Sequence, residues 1–165
     1  MKRQQGMTLI ELVISIMIIG IAAAALYSAM ASMVGRSADP MLRQQSLTIA
    51  EGYLEEILTQ PYLDPSSFNT GSCAATVGLP RARFDDLCDY ADLDDQGARD
   101  AAGNAITGLS EYRVRVAVAN LADWNGVLAR RVEVTVIDPS GQALKLAGMR
   151  TCYGEIDASG VERCP

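Results

Sequence analysis

Histidine is absent from the 165 residues. Without an imidazole there is no Ser-His-Asp triad, no Cys-His pair, no His-ligated zinc or haem and no histidine pH switch. Basic residues are in the minority: 14 Lys and Arg face 20 Asp and Glu, a formal net charge of −6. That balance argues against the cationic surfaces that grip nucleic acid or anionic lipid, so no nucleic-acid partner is expected. Aromatic residues make up only 5%. There is no Cys-x-x-Cys pair for a zinc ribbon, no Gly-rich phosphate loop and no general acid–base pair beyond what so many Asp residues produce by chance. No enzyme activity, cofactor or metal is therefore expected. The length suits one domain, or one domain with an appendage.

Charge is also missing locally. Between Leu12 and Gly35 no residue is charged, and of the 34 charged residues only Lys2, Arg3 and Glu11 precede Arg36. This run of about 24 residues, at ~1.5 Å per residue, is long enough to cross a ~30 Å hydrocarbon core as a helix. It exceeds the ~7–15 residue apolar region of a secretory signal peptide. Lys2 and Arg3 before it place the N-terminus on the cytoplasmic side. Glu11 does not suit a plain anchor, because a carboxylate in the bilayer is costly and so marks a functional position with a partner.

Gly6-Met7-Thr8-Leu9-Ile10-Glu11-Leu12, behind a short basic leader and ahead of a long apolar helix, resembles the processing site of type IV prepilins and type II secretion pseudopilins. Met7 stands where that family usually has Phe; both are large and apolar. The resemblance implies a leader of residues 1–6, cleavage between Gly6 and Met7 by a prepilin peptidase, N-methylation of Met7, and Glu11 as the fifth residue of the mature chain. Cleavage turns a neutral peptide nitrogen into a cationic amine, and Glu11 then has an opposite charge available where the dielectric is low. Met7 and Glu11 are four apart, so a contact within one helix is possible. The resemblance favours the intermolecular version, Glu11 of one subunit against the Met7 amine of the next. Gly20, Ala24, Ser28 and Ser32 form a stripe of small residues at helical spacing, suited to close approach of helices. The partners implied are the peptidase, other pilin subunits packed through the N-terminal helix, and the bacterial inner membrane before assembly into a pilus or periplasmic pseudopilus.

Gly35 to Pro40 reads as a kink or break in the helix. Beyond it Leu47, Ala50, Leu54, Ile57 and Leu58 recur at helical spacing, with Glu51 and Glu55 on the solvent side, until Gln60-Pro61 ends the pattern. The sequence thus divides into a leader (1–6), a transmembrane and filament-core helix (7–35) and a globular domain (36–165). Residues 61–111 are irregular. Tyr112–Ala119, Arg131–Val136 and Leu144–Ala147 alternate with period two, joined by Asn120–Gly126 and by Asp138-Pro139-Ser140-Gly141. The expected fold is α+β: a long helix, apolar then amphipathic, packed on a small three-stranded antiparallel meander. That is the pilin-like architecture, with a loop region tied by disulfides.

Four cysteines in a domain expected outside the inner membrane favour disulfides, and three connectivities are open. Locality favours Cys73–Cys88 and Cys152–Cys164, closing loops of about 12–16 residues at roughly 3 kcal/mol each. The second resembles the C-terminal disulfide loop of many pilins. Asp92, Asp94, Gln96 and Gly97 imitate the start of a calcium loop. Gly103 occupies the place of the terminal bidentate Glu, so a solvated acidic loop is the favoured reading. Trp124, the single tryptophan, is expected to pack over a nearby core.

Ser46 to Leu58 is similar to the corresponding helix of minor pilins of the mannose-sensitive haemagglutinin pilus. The functional expectation is a minor pilin, with a minor type II secretion pseudopilin as the alternative and a membrane-anchored calcium-dependent binding module or enzyme as the remote one.

Overall fold

One helix, α1, runs from Leu9 to Thr59, and four strands follow it: β1 (Asp94–Gln96), β2 (Arg113–Trp124), β3 (Val127–Ile137) and β4 (Ala143–Thr151). In this computed structural model, the residues described are 8–67, 73, 78–156 and 159–164, leaving aside the side chains of 32–39, 122 and 123. The chain forms two compact units, Met1–Met41 and Leu42–Pro165.

The one long helix expected to about Leu58 is present, and it is not broken at Gly35–Pro40: α1 continues through Pro40. Proline removes one helical hydrogen bond, but packing of the amphipathic run beyond it keeps the chain helical. Within the globular unit α1 buries Ser46, Ile49, Ala50, Tyr53 and Ile57, with Leu42, Leu54 and Leu58 partly covered. Ile49 and Tyr53 widen the stripe expected from the sequence. Glu51 and Glu55 are exposed. The helix tightens at its end, Gln60 N–H donating to the Ile57 carbonyl at 3.1 Å, and Pro61 prevents another turn.

The sheet has the order β1-β2-β3-β4, all neighbours antiparallel. Period-two alternation sends Val114 and Val116 of β2 and Val132, Val134 and Val136 of β3 inward, where they meet the helix in one core. Leu144 and Leu146 of β4 pack at its margin. The strands outrun their expected bounds. Asn120–Gly126 is not a loop: β2 extends to Trp124, and only Asn125 (φ 53°) and Gly126 (φ 81°) turn the chain. Asn-Gly accepts positive φ at both positions, and that geometry matches the strand twist. A register irregularity between Leu121 and Trp124 absorbs the residues before the turn. The Asp138–Gly141 turn forms as expected. Asp138 Oδ1 accepts from Ser140 N–H at 2.9 Å and from Gln142 N–H at 2.9 Å.

The fourth strand, β1, was not expected. Its residues Asp-Asp-Gln have poor strand propensity. It is held by backbone pairing with Arg113–Arg115 and by ion pairs from Arg113 and Arg115 to Asp94. Both disulfides pair the local partners, Cys73–Cys88 and Cys152–Cys164. A second small core gathers Tyr62, Leu63 and Cys152. Beside it Arg130, 1% exposed, lays its guanidinium 4.2 Å from the Tyr62 ring centre and donates to the Tyr62 carbonyl.

Gly148 in β4 lets the helix come close. A Cβ there would lie 2.8 Å from Leu58 Cδ1 and 3.4 Å from Leu54 Cδ1. Gly148→Val is expected to destabilise the chain by about 1–3 kcal/mol through overpacking. Thermal unfolding of wild type and variant measures this, and an unchanged melting temperature would refute the close packing.

Candidate functional site

The N-terminal helix is built by an apolar sequence with a polar cap. Thr8 Oγ1 accepts from Glu11 N–H at 3.4 Å, and Leu12 N–H reaches the Thr8 carbonyl at 3.2 Å. Thr8 is thus placed as the N-cap of α1, with Glu11 three residues on. Ser15 Oγ donates to the Glu11 carbonyl at 2.7 Å, so the Glu11 backbone is fully engaged. Its side chain is exposed and has no hydrogen-bond or ion-pair partner among the described residues. Gly6 and Met7, the expected cleavage and methylation positions, lie outside the described residues.

From Leu9 to Ala31 the helix is long and apolar enough to cross a membrane, and none of it is buried by the rest of the chain. Leu9, Ile10, Ile16, Ile18, Ile19 and Ile21 are all more than 60% exposed. Gly20 has no atom within 4 Å of where a Cβ would stand, so its missing side chain leaves open space on the helix surface. Ala24 and Ser28 are exposed as well; the Ser32 side chain lies outside the described residues. Such a surface is satisfied by lipid, by other apolar helices, or by both in turn.

The acidic run of the globular unit is differently employed from what its spacing suggested. Asp94 binds Arg113 through two oxygens, at 2.7 and 2.5 Å, and Arg113 holds its carboxyl below the usual range. Asp95 points to the helix side. It accepts from Tyr53 Oη at 2.9 Å and pairs with Arg81 at 2.7 Å. Gln96 is a strand residue, and Gly97 (φ 77°) leaves no room for a side chain, since a Cβ there would lie 3.2 Å from Ser110 Cα. The imitation of a calcium loop is therefore spent on arginines and a sheet edge.

The carboxylates that do cluster are Asp64, Asp85 and Asp86, with one oxygen of each within 4.8 Å of the others. Asp64 accepts from Ser66 and Ser67, which hold its carboxyl low. Asp86 caps Cys88 N–H at 2.5 Å, and burial pushes its carboxyl up. These are turn-forming roles.

Trp124 corrects an expectation. It is 45% exposed, on the last rung of the β2–β3 hairpin opposite Val127, rather than packed over a core.

A constellation the sequence reading missed surrounds Arg81. Its guanidinium, 6% exposed, pairs with Glu56 of α1 at 2.9 Å and Asp95 of β1 at 2.7 Å, and lies 4.5 Å from the Tyr53 ring centre. Tyr90 Oη donates to Glu56 at 2.7 Å, and burial raises the Tyr90 hydroxyl far above its ordinary value. An arginine in a Pro- and Arg-containing loop gives no local signal of such partners.

Residues 1–27 match the family model of the prokaryotic N-terminal methylation motif. The match holds Gly6, Met7 and Glu11 and most of the apolar span. It supports a type IV pilin-like or pseudopilin precursor and, with the apolar helix, is consistent with membrane anchoring. The fold agrees: an α+β, pilin-like arrangement of long helix, small antiparallel sheet and two disulfides. No curated protein and no solved structure matches the chain.

Arg81→Met is expected to cost about 3–5 kcal/mol, because Glu56 and Asp95 stay largely buried without their counter-charge. Denaturant unfolding measures this; a loss below ~1 kcal/mol would show that the carboxylates find other partners. Acid acts through a different set. Asp64, Asp94 and Asp138 hold their protons less tightly folded than unfolded. Their stabilisation is present above the ordinary carboxylate range and is lost as pH falls through their lowered folded values. The melting temperature should therefore drop between pH 5 and pH 2, and a flat profile there would contradict it.

Proposed function

We infer that the chain is a minor pilin of a type IV pilus, made as a precursor, cut after Gly6 by a prepilin peptidase, methylated at Met7 and built into a surface filament. The observation that carries this reading is a single helix. Its start matches the N-terminal methylation motif, and its apolar surface from Leu9 is uncovered. Glu11, the one charged side chain of its apolar part from Leu9 to Gly35, has no partner among the described residues. An uncovered apolar helix with a lone carboxylate is stable once like helices pack around it and a cationic amine meets the acid. Before assembly the same helix anchors the subunit in the inner membrane, N-terminus on the cytoplasmic side, as Lys2 and Arg3 direct. After it, the N-terminal helices form the filament core.

The narrower assignment, a minor pilin of the mannose-sensitive haemagglutinin type that supports assembly or adhesion, rests on the likeness of Ser46–Leu58. A minor pseudopilin of type II secretion is the second reading, since the methylation motif is common to both. The role is structural, with no enzymatic step by this chain.

Substitution of Gly6 is expected to leave the leader attached, seen as a heavier chain by intact mass spectrometry. Glu11→Ala should be cut normally and yet enter filaments poorly. Normal incorporation of Glu11→Ala would remove the register role of the carboxylate. Mass spectrometry of sheared surface filaments against membrane fractions separates the two systems. Recovery at low copy in filaments supports the minor-pilin reading; absence from filaments together with failed secretion sinks it.

A further inference from the structure

The β2–β3 hairpin turns on Asn125-Gly126, with φ of 53° and 81°, and both residues are exposed. The dipeptide that suits this turn is also chemically labile. An asparagine amide carbon can be reached by the backbone nitrogen of the next residue, closing a five-membered ring. A side chain on that next residue obstructs the approach, and glycine has none. Of the four asparagines, Asn69, Asn104, Asn120 and Asn125, only Asn125 precedes a glycine.

The fold sets Asn125 apart as well. Asn120 lies in the continuous β2–β3 ladder opposite Arg130, and its Oδ1 accepts from Arg130 Nε at 3.2 Å. Asn104 donates to Asp100 from Nδ2 at 3.0 Å and from its backbone N–H at 2.7 Å. Asn69 lies outside the described residues. The Asn125 side chain has no hydrogen bond among the described residues. Its turn is also lightly fastened. The ladder runs unbroken from Arg113 to Leu121, is interrupted by the register irregularity, and resumes for the single rung Trp124–Val127. One rung beyond an interruption opens at a small fraction of the cost of global unfolding. Gly126 has a contact of its own in the folded chain, so the reaction proceeds from the opened tip.

We propose that Asn125 is a site of spontaneous deamidation, through which the hairpin tip acquires a negative charge as the molecule ages. The Gly126 nitrogen attacks Asn125 Cγ. The new N–Cγ bond forms and the Cγ–Nδ2 bond breaks. The departing amide nitrogen carries off the Gly126 proton and leaves as ammonia, and a succinimide remains. Water then opens the ring. Hydrolysis of the new bond gives aspartate; hydrolysis of the original peptide bond gives isoaspartate. One water is consumed and one ammonia released, with no change of oxidation state. Aspartate keeps the turn, since Asp-Gly accepts the same positive φ. Isoaspartate adds a methylene to the main chain, which a two-residue turn cannot absorb, so the Trp124–Val127 rung is lost. Trp124, the single tryptophan and 45% exposed, reports that loss. The site belongs to the globular unit and stands or falls independently of the filament reading.

The test holds the full chain, in non-ionic detergent, in warm and mildly alkaline buffer, and follows it by intact mass, peptide mapping and Trp124 emission. Expected is a gain of about 1 Da, the exchange of NH2 for OH, arising at Asn125 ahead of Asn69, Asn104 and Asn120. The emission of Trp124 should shift in step with the isoaspartate fraction. Asn125→Gly keeps the positive φ, so the hairpin still closes, and it should lose both the mass gain at this position and the emission shift. A folded chain that keeps the Asn125 amide while a synthetic peptide of residues 120–130 loses it would show that the turn protects the site. Conversion at Asn125 no faster than at Asn104 or Asn120 would show that the exposed tip confers nothing. Either result overturns the proposal.

Discussion

The globular unit depends on where one guanidinium goes. Arg81 sits between Glu56 of the helix and Asp95 of β1, with Tyr53 and Tyr90 against its faces. Helix, loop and sheet edge thereby share one charge. The irregular stretch from 61 to 111 buries Tyr62, Leu63, Leu87, Tyr90 and Ala98, and the buried ion pair adds an orienting contact that dispersed apolar contacts do not supply. Once Arg81 is seated, Asp95 points inward, Asp94 is left to Arg113 on the outer face, and the three-residue β1 can pair with β2. The Cys73–Cys88 bond and the aromatic contact of Phe84 with Tyr90 complete the same region.

The helix that carries Glu56 has two unlike surfaces. Up to Ala31 it is apolar on every side and uncovered; from Leu42 it is amphipathic and its apolar stripe is spent on the sheet. An element of this kind does not fold to completion alone. Its first part is a surface that lipid or other apolar helices satisfy, consistent with membrane anchoring. Thr8 caps that end of the helix, and the Glu11 carboxylate beside it has no partner among the described residues.

Much of the fold was legible because it rests on local periodicity. Val114, Val116, Val132, Val134 and Val136 alternate in the sequence and alternate in the sheet. Leu54, Ile57 and Leu58 recur at helical spacing and face the core. The local disulfide pairings follow from short loops. What failed were judgements in which local signals compete with partners far away. Gly35–Pro40 read as a kink or break within the long helix, yet α1 runs through Pro40 unbroken, because packing beyond it outweighs one lost hydrogen bond. Asn120–Gly126 looked like a loop, yet only Asn125 and Gly126 turn. Trp124 looked like a core residue, and the hairpin carries it to an exposed last rung. The run from Asp92 to Gly97 read as a solvated acidic loop, and arginines 19 residues downstream and 14 upstream take the carboxylates of Asp94 and Asp95.

The N-terminal motif, the spanning length, the absence of imidazole chemistry and the periods of helix and strand belong to the sequence by itself, since each is a property of neighbours along the chain. Tertiary structure alone decided which charges are cancelled and which polar groups are left over. Arg81 found Glu56 25 residues away, Tyr112 found Gln45 67 residues away, and Ser46 Oγ found no partner among the described residues. The reason is physical: side-chain partnership depends on where folding brings distant segments, and spacing along a chain encodes only what lies within a few turns of it.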